Sequence, residues 1–177
     1  MSCRSVAVAL GRPLVPVTAV CAVGPSSGLY RALRQYKSGE PEVARRQQRR
    51  LSAILDAFCA RRLATVAPGG LDATLVVPSS RGGRPPPHPL AAVVRATAHL
   101  PPMLDTLVAA GTTPHHRHPR PDAYRAGSVT GLRVLLVDDV YASGAHLQSA
   151  AATLLDAGAA SVVGLAIGRY DRPAPRR

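Results

Sequence analysis

The sequence predicts an α/β fold, in which a twisted, mainly parallel sheet carries helices on both faces. Three observations lead to this prediction. Apolar runs of strand length recur along the chain, they alternate with segments of helical periodicity, and turns rich in glycine and proline separate the two. The predicted sheet strands lie near residues 73–77, 103–108, 133–138 and 161–167. A chain of 177 residues can bury a sizeable core, so we expect residues 1–177 to form a single domain.

The first 65 residues predict a helical flank over the carboxyl ends of the sheet strands, and residues 66–170 form the predicted core. Prolines make residues 1–17 irregular in this prediction. Apolar spacing then predicts a short strand and two helices, over residues 17–23, 29–36 and 42–63. The second helix turns an apolar face around Leu51 inward and pairs of arginines toward water.

The stretch after the first core strand predicts one helix, over residues 90–100, and one long loop, over residues 111–125. The loop is polar and broken by prolines, and a loop of this length inside a compact domain is usually functional or disordered. Three histidines in it raise the alternative of metal ligation: His115, His116 and His118. No carboxylate or cysteine completes a recognisable metal-ligand spacing, so the sequence favours a solvated basic loop, or phosphate contact, over a metal site.

The chain is strongly basic, with a formal net charge of +12 and 22 basic residues, of which only Lys37 is a lysine. Such a surface attracts polyanions, and either nucleic acid or a pyrophosphate-bearing substrate fits this charge. Aromatic residues make up only 3% of the chain and there is no tryptophan, so stacking platforms for single-stranded nucleic acid are hard to build. We therefore expect weak, nonspecific attraction to nucleic acid rather than specific recognition.

Neither a membrane segment nor a disulfide framework is predicted. No run of 18 apolar residues is present, and the apolar stretch in residues 1–10 is too short for the core of a signal peptide. We therefore expect a cytoplasmic protein that makes no membrane contact. Cys3, Cys21 and Cys59 are odd in number, far apart and without a C-x-x-C pair, which predicts reduced, mostly buried thiols. No feature of the sequence indicates an oligomeric state.

The most informative stretch runs from Val134 to His146. Four apolar residues end in Asp138 and Asp139, and a turn of small residues leads into a helical pattern that stops at Gly158. The residues spaced to be buried on that helix are Leu147, Ala150, Ala151 and Leu154. The acids therefore lie at the carboxyl end of a central strand beside a helix N-terminus, where open α/β sheets bind ligands and backbone N–H groups favour phosphate. The alternative is a Rossmann-like strand and helix with an acidic cap and no ligand.

This stretch resembles the phosphoribosyl pyrophosphate (PRPP) binding motif of type I phosphoribosyltransferases. That motif has four apolar residues, two acids, two variable or apolar residues, and a Thr/Ser-Gly-x-Thr/Ser turn. The resemblance implies that Asp138 and Asp139 hold the ribose hydroxyls of PRPP, and two carboxylates can indeed accept hydrogen bonds from a vicinal diol. It implies that the turn wraps the 5′-phosphate, through Ala142, Ser143, Gly144, Ala145 and His146. The chain departs from the motif at Ala142 and His146, where hydroxyl residues are usual.

The loop after the first core strand stands where the same family binds pyrophosphate. Ser79, Ser80 and Arg81 occupy the matching positions. Nearby glycines permit close approach of the backbone, and arginine is a bidentate donor to phosphate oxygens. The alternative is a Pro/Gly linker with an incidental arginine. Lys37 is a further candidate for pyrophosphate contact, for which the alternative is an ordinary exposed lysine. Arg125, at the end of the long loop, is a further candidate site residue.

Ahead of the core, residues 33–39 (Leu-Arg-Gln-Tyr-Lys-Ser-Gly) resemble a segment of the competence protein F family, which ends in a Tyr-Lys or Lys-Tyr pair before a helix. Many members of that family begin with a four-cysteine zinc ribbon. This chain has three separated cysteines, so it resembles the shorter members without the ribbon.

Together these resemblances imply a type I phosphoribosyltransferase-like fold and a glycosyltransferase of nucleotide metabolism. The implied reaction displaces pyrophosphate from the anomeric carbon of PRPP by an unidentified acceptor. Magnesium, carried with PRPP, is the implied cofactor, and no metal held by the protein alone is expected. The alternative is a non-catalytic accessory protein linked to competence and DNA uptake, because only Ser143 supplies a hydroxyl in the phosphate turn.

Overall fold

A computed structural model describes residues 3–37, 39–79, 88–110, 119–120 and 122–170. Its strands are β1 (Val17–Val23), β2 (Ala73–Val76), β3 (Leu107–Ala109), β4 (Tyr124–Ala126), β5 (Arg133–Tyr141) and β6 (Ser161–Tyr170). Its helices are α1 (Cys3–Leu10), α2 (Gly28–Gln35), α3 (Pro41–Val66), α4 (Pro89–Arg95) and α5 (Ala145–Asp156). Four strands form an all-parallel sheet in the order β1-β6-β5-β2, and β3 and β4 form a separate antiparallel pair. The predicted α/β class with a mainly parallel sheet is confirmed.

Strand β5 shows how the core is divided between the two faces of the sheet. Its side chains alternate, so Leu135 and Val137 pack with α2, α3 and α4, whereas Val134 and Leu136 pack with α5. All four are fully buried. A strand covered on both faces reads as a continuous apolar run, which is why this run is visible in the sequence. The helices therefore cover both faces, as predicted.

The connection from β5 to β6 follows the predicted pattern closely. The four residues expected on the inner face of α5 are all buried. The helix ends at Asp156, and Gly158 takes the left-handed conformation, with φ of +91°, that terminates many helices. One difference is that β5 continues to Tyr141, because Val140 and Tyr141 still pair with Gly168 and Arg169 of β6. Asp138 and Asp139 are thus the sixth and seventh of the nine residues of the strand.

The N-terminal segment is more regular than predicted. Residues 1–17 were expected to be irregular, but α1 forms within them, because the prolines lie beyond its last residue. Val6 and Leu10, one helical turn apart, pack on Ala152 of α5. Strand β1 pairs with β6 at the edge of the main sheet, so the flank contributes a strand as well as helices.

The predicted strand over residues 103–108 is wrong as a single element of the main sheet. Met103 forms only an isolated parallel bridge with Thr74, and the last two residues of the range belong to β3. The preceding Pro101 and Pro102 have no N–H to donate, so the ladder cannot extend. The helix predicted over residues 90–100 ends at Arg95, ahead of these prolines.

The structure bears in part on the membrane, cysteine and loop expectations. Within the described part of the chain, no helix has both the length and the apolar character needed to span a membrane. Cys21 and Cys59 are free thiols, and burial, with the charge of Asp56 as a lesser cause, raises the pKa of Cys59 to about 11. The loop histidines lie outside the described residues.

Candidate functional site

The site predicted from the sequence lies at the carboxyl edge of the parallel sheet. Strand β5 is flanked by β2 and β6, and its Asp138 and Asp139 are half-buried near the end of the strand. The Val77 N–H donates to the Val137 carbonyl at 2.9 Å, so the chain leaving β2 runs beside the acid pair. Ser79 follows two residues later and is half-buried at the same edge. Parallel strands bring their carboxyl ends together, which is why separate sequence segments meet here.

Asp139 is held by two side chains that follow α2. The Tyr36 hydroxyl donates to Asp139 Oδ2 at 2.9 Å, and Lys37 Nζ lies 2.5 Å from the same oxygen. Tyr36 is fully buried, while the side chains of Lys37 and Asp139 are 32% and 15% exposed. Burial opposes ionisation of Asp139, but the Lys37 charge and the hydrogen bonds outweigh it and lower the pKa of Asp139. Asp139 is therefore a fixed carboxylate.

Asp138 has the opposite electrostatic environment. Its Oδ1 accepts the Asp139 N–H at 2.8 Å, and none of its described contacts is with a cation. Burial, followed by the adjacent Asp139 charge, raises the pKa of Asp138 well above its usual value. The two acids titrate as a pair, with the pKa of Asp138 raised and that of Asp139 lowered. Together they offer several oxygen acceptors to two adjacent hydroxyl groups.

The turn after β5 is shaped by one glycine. Gly144 has φ of +79° and precedes α5, whose first intrahelical bond runs from Gln148 N–H to the Gly144 carbonyl at 2.9 Å. Side chains with a Cβ rarely adopt this conformation. Ser143 Oγ accepts the Ala145 N–H at 3.3 Å, and Ala142 is exposed. The turn therefore presents backbone groups at the positive end of the α5 dipole.

His146, in the first turn of α5, is linked to a residue remote in sequence. Its Nδ1 lies 3.1 Å from the Tyr124 hydroxyl, in a hydrogen bond whose direction depends on the His tautomer. Tyr124 is buried in β4, and burial, then the negative charge of Asp138, raises its pKa. The hydrogen bond holds the imidazole at the start of α5 and brings a phenol beside it.

Several predicted site residues converge, and others do not. Asp138, Asp139, Lys37, Ser79 and the turn residues share the carboxyl edge of the sheet. The Lys37 ammonium lies against Asp139, and its pyrophosphate contact stays a prediction. Arg125 is exposed on β4, and strand alternation directs it away from its neighbour Tyr124. Ser80 and Arg81 lie outside the described residues.

Neither a protein-family model nor a curated protein matches this chain.

Two tyrosines at the site were not predicted. In the sequence Tyr36 belongs to a Tyr-Lys pair at the end of a helix, and its adjacency to Lys37 is the signal that points to the site. Tyr124 contacts His146 across 22 residues of sequence, and no local pattern marks it. The Tyr36 hydroxyl contacts Asp139 of the acid pair, and the Tyr124 hydroxyl contacts His146 after the turn.

The metal-binding capacity of the site is limited without a ligand. Among the described residues, no three His, Cys, Asp or Glu side chains gather as they would around an ion. Two adjacent carboxylates do fit magnesium, which is usually held by one or two carboxylates together with substrate phosphates. The donor set thus fits a cation that arrives with an anionic substrate.

Proposed function

We propose that this protein binds PRPP together with magnesium and transfers the phosphoribosyl group to an acceptor, in the manner of a type I phosphoribosyltransferase. The observation that carries the proposal is the acid pair followed directly by the left-handed Gly144 turn and the α5 N-terminus. The pair suits a vicinal diol and the turn suits a phosphate, and they lie within one short segment. A ribose 5-phosphate has both groups on one ring, so a single ligand satisfies both.

The ribose hydroxyls would be recognised by complementary donors and acceptors. Asp139, fixed as a carboxylate by Lys37 and Tyr36, accepts a hydrogen bond from one hydroxyl. Asp138, whose pKa is raised by burial and by the Asp139 charge, accepts from the second hydroxyl as a carboxylate or donates to it as the acid. Because the backbone of β5 holds both acids, the ring is oriented without rearrangement of the sheet.

The 5′-phosphate would be recognised mainly by the backbone of the turn. Gly144 allows the chain to curl so that N–H groups face the ligand, and the α5 dipole favours a negative charge there. Ser143 adds the hydroxyl, and the pair of His146 and Tyr124 forms one wall. Backbone donors compensate for the alanine at position 142.

The transfer step requires little covalent chemistry from the protein. The acceptor forms a bond to the anomeric carbon as the bond from that carbon to the pyrophosphate oxygen breaks, and the electron pair leaves with pyrophosphate. Magnesium, held by substrate oxygens and the acid pair, would supply positive charge to the leaving group. Ser79 lies at the edge where that group would emerge, and Lys37 is the nearest described cation to the acid pair. The residues orient the ring and stabilise charge.

PRPP with magnesium is expected to raise the melting temperature of the protein. At a ligand concentration 100 times the dissociation constant, stabilisation is about 2.7 kcal/mol, which corresponds to roughly 5–10 °C for a chain of this size. Differential scanning fluorimetry measures the shift. Magnesium alone and ribose 5-phosphate alone serve as controls and should produce smaller shifts. An unchanged melting temperature with PRPP and magnesium would rule out the proposed ligand.

A non-catalytic PRPP-binding protein is the second candidate, because the turn keeps a single hydroxyl residue at Ser143. Release of inorganic pyrophosphate from PRPP with a panel of nitrogenous base acceptors separates the two. Thermal stabilisation with acceptor-dependent release supports the transferase. Stabilisation without release from any acceptor in the panel favours the binding protein.

A further inference from the structure

The outward face of α3 carries an unusual concentration of arginine. Arg45, Arg46, Arg49 and Arg50 are all exposed, and helical spacing places Arg46 and Arg49 opposite the buried Leu51 with Arg45 and Arg50 on either side. Residues four apart on a helix are separated by about 6 Å along its axis. The first three turns of α3 therefore form a stripe of guanidinium groups.

Helix α2 extends this stripe. Gln48 Nε2 donates to the Tyr36 carbonyl at 3.3 Å and so ties α3 to the end of α2. The Arg50 guanidinium lies over the start of α2, 3.6 Å from the position that a Cβ would take on Gly28. Arg31 and Arg34 are exposed on α2. We call the combined surface the arginine face: Arg31, Arg34, Arg45, Arg46, Arg49 and Arg50.

Among the described residues, Glu42 is the acid that lies with the arginines of this face, and six aspartates pair with cations elsewhere. The ion pairs in the described part of the chain involve Asp56, Asp72, Asp105, Asp122, Asp139 and Asp156. None of the cations in those pairs belongs to the arginine face. Six positive charges on two packed helices repel one another, so an anionic partner would be favoured there.

The surface is also concave at one end. A cavity of about 380 Å³ is lined by Glu42, Val43, Arg45, Arg46 and Arg49. Its lining places three guanidinium groups around a recess, and Glu42 is the one acid among these lining residues. A recess of this kind can receive a phosphate group with donors from several directions, since guanidinium groups bind phosphate bidentately.

The most favourable partner is a polymer of high charge density. At physiological salt the Debye length is about 8 Å, so isolated contacts with exposed arginines contribute little affinity each. Double-stranded nucleic acid carries one charge per ~1.7 Å and releases condensed counterions when cations contact it, and this release supplies affinity that a folded acidic protein does not. We infer that the arginine face binds the phosphate backbone of a nucleic-acid duplex.

The same face lacks the groups that read sequence or hold single strands. Tyr36 is buried, Phe58 packs against the core, and Tyr30 lies against Tyr170. Gln47 and Gln48 pair with α2. With no exposed aromatic ring among the described residues of α2 and α3, stacking of unpaired bases is not supported. The contact is therefore independent of sequence and made to backbone phosphates.

This inference does not depend on PRPP. The acid pair and the phosphate turn are built from β5 and α5, and none of the arginine-face residues contributes a described contact to them. A variant that no longer binds PRPP should still bind the duplex, and a variant that no longer binds the duplex should still bind PRPP.

Fluorescence anisotropy with a labelled 25-base-pair DNA duplex, in increasing NaCl, tests the inference. The double variant R45Q/R49Q is expected to weaken binding about tenfold or more and to reduce the slope of log affinity against log salt by about 2, since each phosphate contact contributes roughly 0.9. The matched control is R61Q/R62Q, which removes two exposed charges from the same helix about 18 Å away. It should change the slope by less than half as much. Two unrelated duplex sequences should bind equally.

Three results would overturn the inference. Equal losses in the two variants would show that net charge alone attracts DNA. Absence of binding by the parent protein at 100 mM NaCl would show that the face binds no duplex. A poly-glutamate peptide that binds as tightly as the duplex and loses binding in R45Q/R49Q would identify an acidic polypeptide as the partner. Melting curves of both variants confirm folding, which exposed Arg-to-Gln changes should preserve.

Discussion

Asp139→Asn and Asp138→Asn are expected to change the stability of the free protein in opposite directions, although each should abolish the PRPP-dependent rise in melting temperature. In Asp139→Asn the Lys37 ammonium loses its carboxylate and the Tyr36 hydroxyl loses a charged acceptor. Breaking a largely buried pair on one side costs about 1–3 kcal/mol, or roughly 3–10 °C for this chain length. Melting curves of the free variants measure this loss.

Asp138→Asn should instead raise the melting temperature of the free protein. The raised pKa of Asp138 means that the folded state disfavours the carboxylate, so the group opposes folding at neutral pH. An amide of the same shape removes that penalty, and stabilisation of roughly 0.5–2 kcal/mol is typical when a functional site is relieved in this way. Loss of ligand binding with a gain in stability would mark Asp138 as a residue kept for function.

The dependence of protein stability on pH tests the direction of the stability changes expected for Asp139→Asn and Asp138→Asn. The pKa of Asp139 is lowered on folding, so its stabilisation is present above the unfolded value near 3.9 and is lost as the pH falls through the folded value. The pKa of Asp138 is raised, so its penalty is absent below about pH 3.9 and grows as the pH rises toward the folded value. The advantage of Asp138→Asn should therefore vanish near pH 4. An advantage that persists unchanged at pH 4 would contradict this account.

Lys37→Met provides the control for the ion pair. If the loss in Asp139→Asn comes from the Lys37 contact, the double variant should lose less than the sum of the single variants, because the contact that the second change removes is already broken by the first. Additive losses would show that the two groups act separately.

The sequence predicts this site well where the information is local. The strand that carries the acids and the helix that follows bury apolar residues with the correct period, and Gly158 ends the helix. The position of the acids at the carboxyl edge follows from the parallel sheet. Each of these features depends on residues within one short segment.

Non-local features were harder to predict. The stretch before Leu107 has the apolar content of a strand, but Pro101 and Pro102 limit its pairing to a bridge at Met103. The Tyr124 contact with His146 depends on how β4 packs against α5, which no sequence period encodes. Strand β1 was recognised, whereas its pairing with β6 is set by the tertiary fold.

Gly144→Ala is expected to remove PRPP binding and to destabilise the protein more than the equivalent change at another left-handed glycine. Two costs combine at this position. A Cβ on a residue with φ of +79° is strained, which costs about 1–2 kcal/mol. The same Cβ would lie 2.7 Å from Tyr141 Cζ, so the ring must move, and such overpacking adds about 1–3 kcal/mol.

Gly131→Ala separates these two costs. Gly131 also has a positive φ, of +74°, but a Cβ there meets no heavy atom within 4 Å, so only the backbone strain remains. We expect Gly131→Ala to lower the free energy of unfolding by about 1–2 kcal/mol and to retain the PRPP-dependent thermal shift, because Gly131 lies before β5 and away from the turn. Chemical denaturation gives the stabilities and scanning fluorimetry gives the shifts. Equal destabilisation by the two variants would show that the Tyr141 ring yields at little cost, and a full PRPP shift in Gly144→Ala would show that the turn does not hold the phosphate.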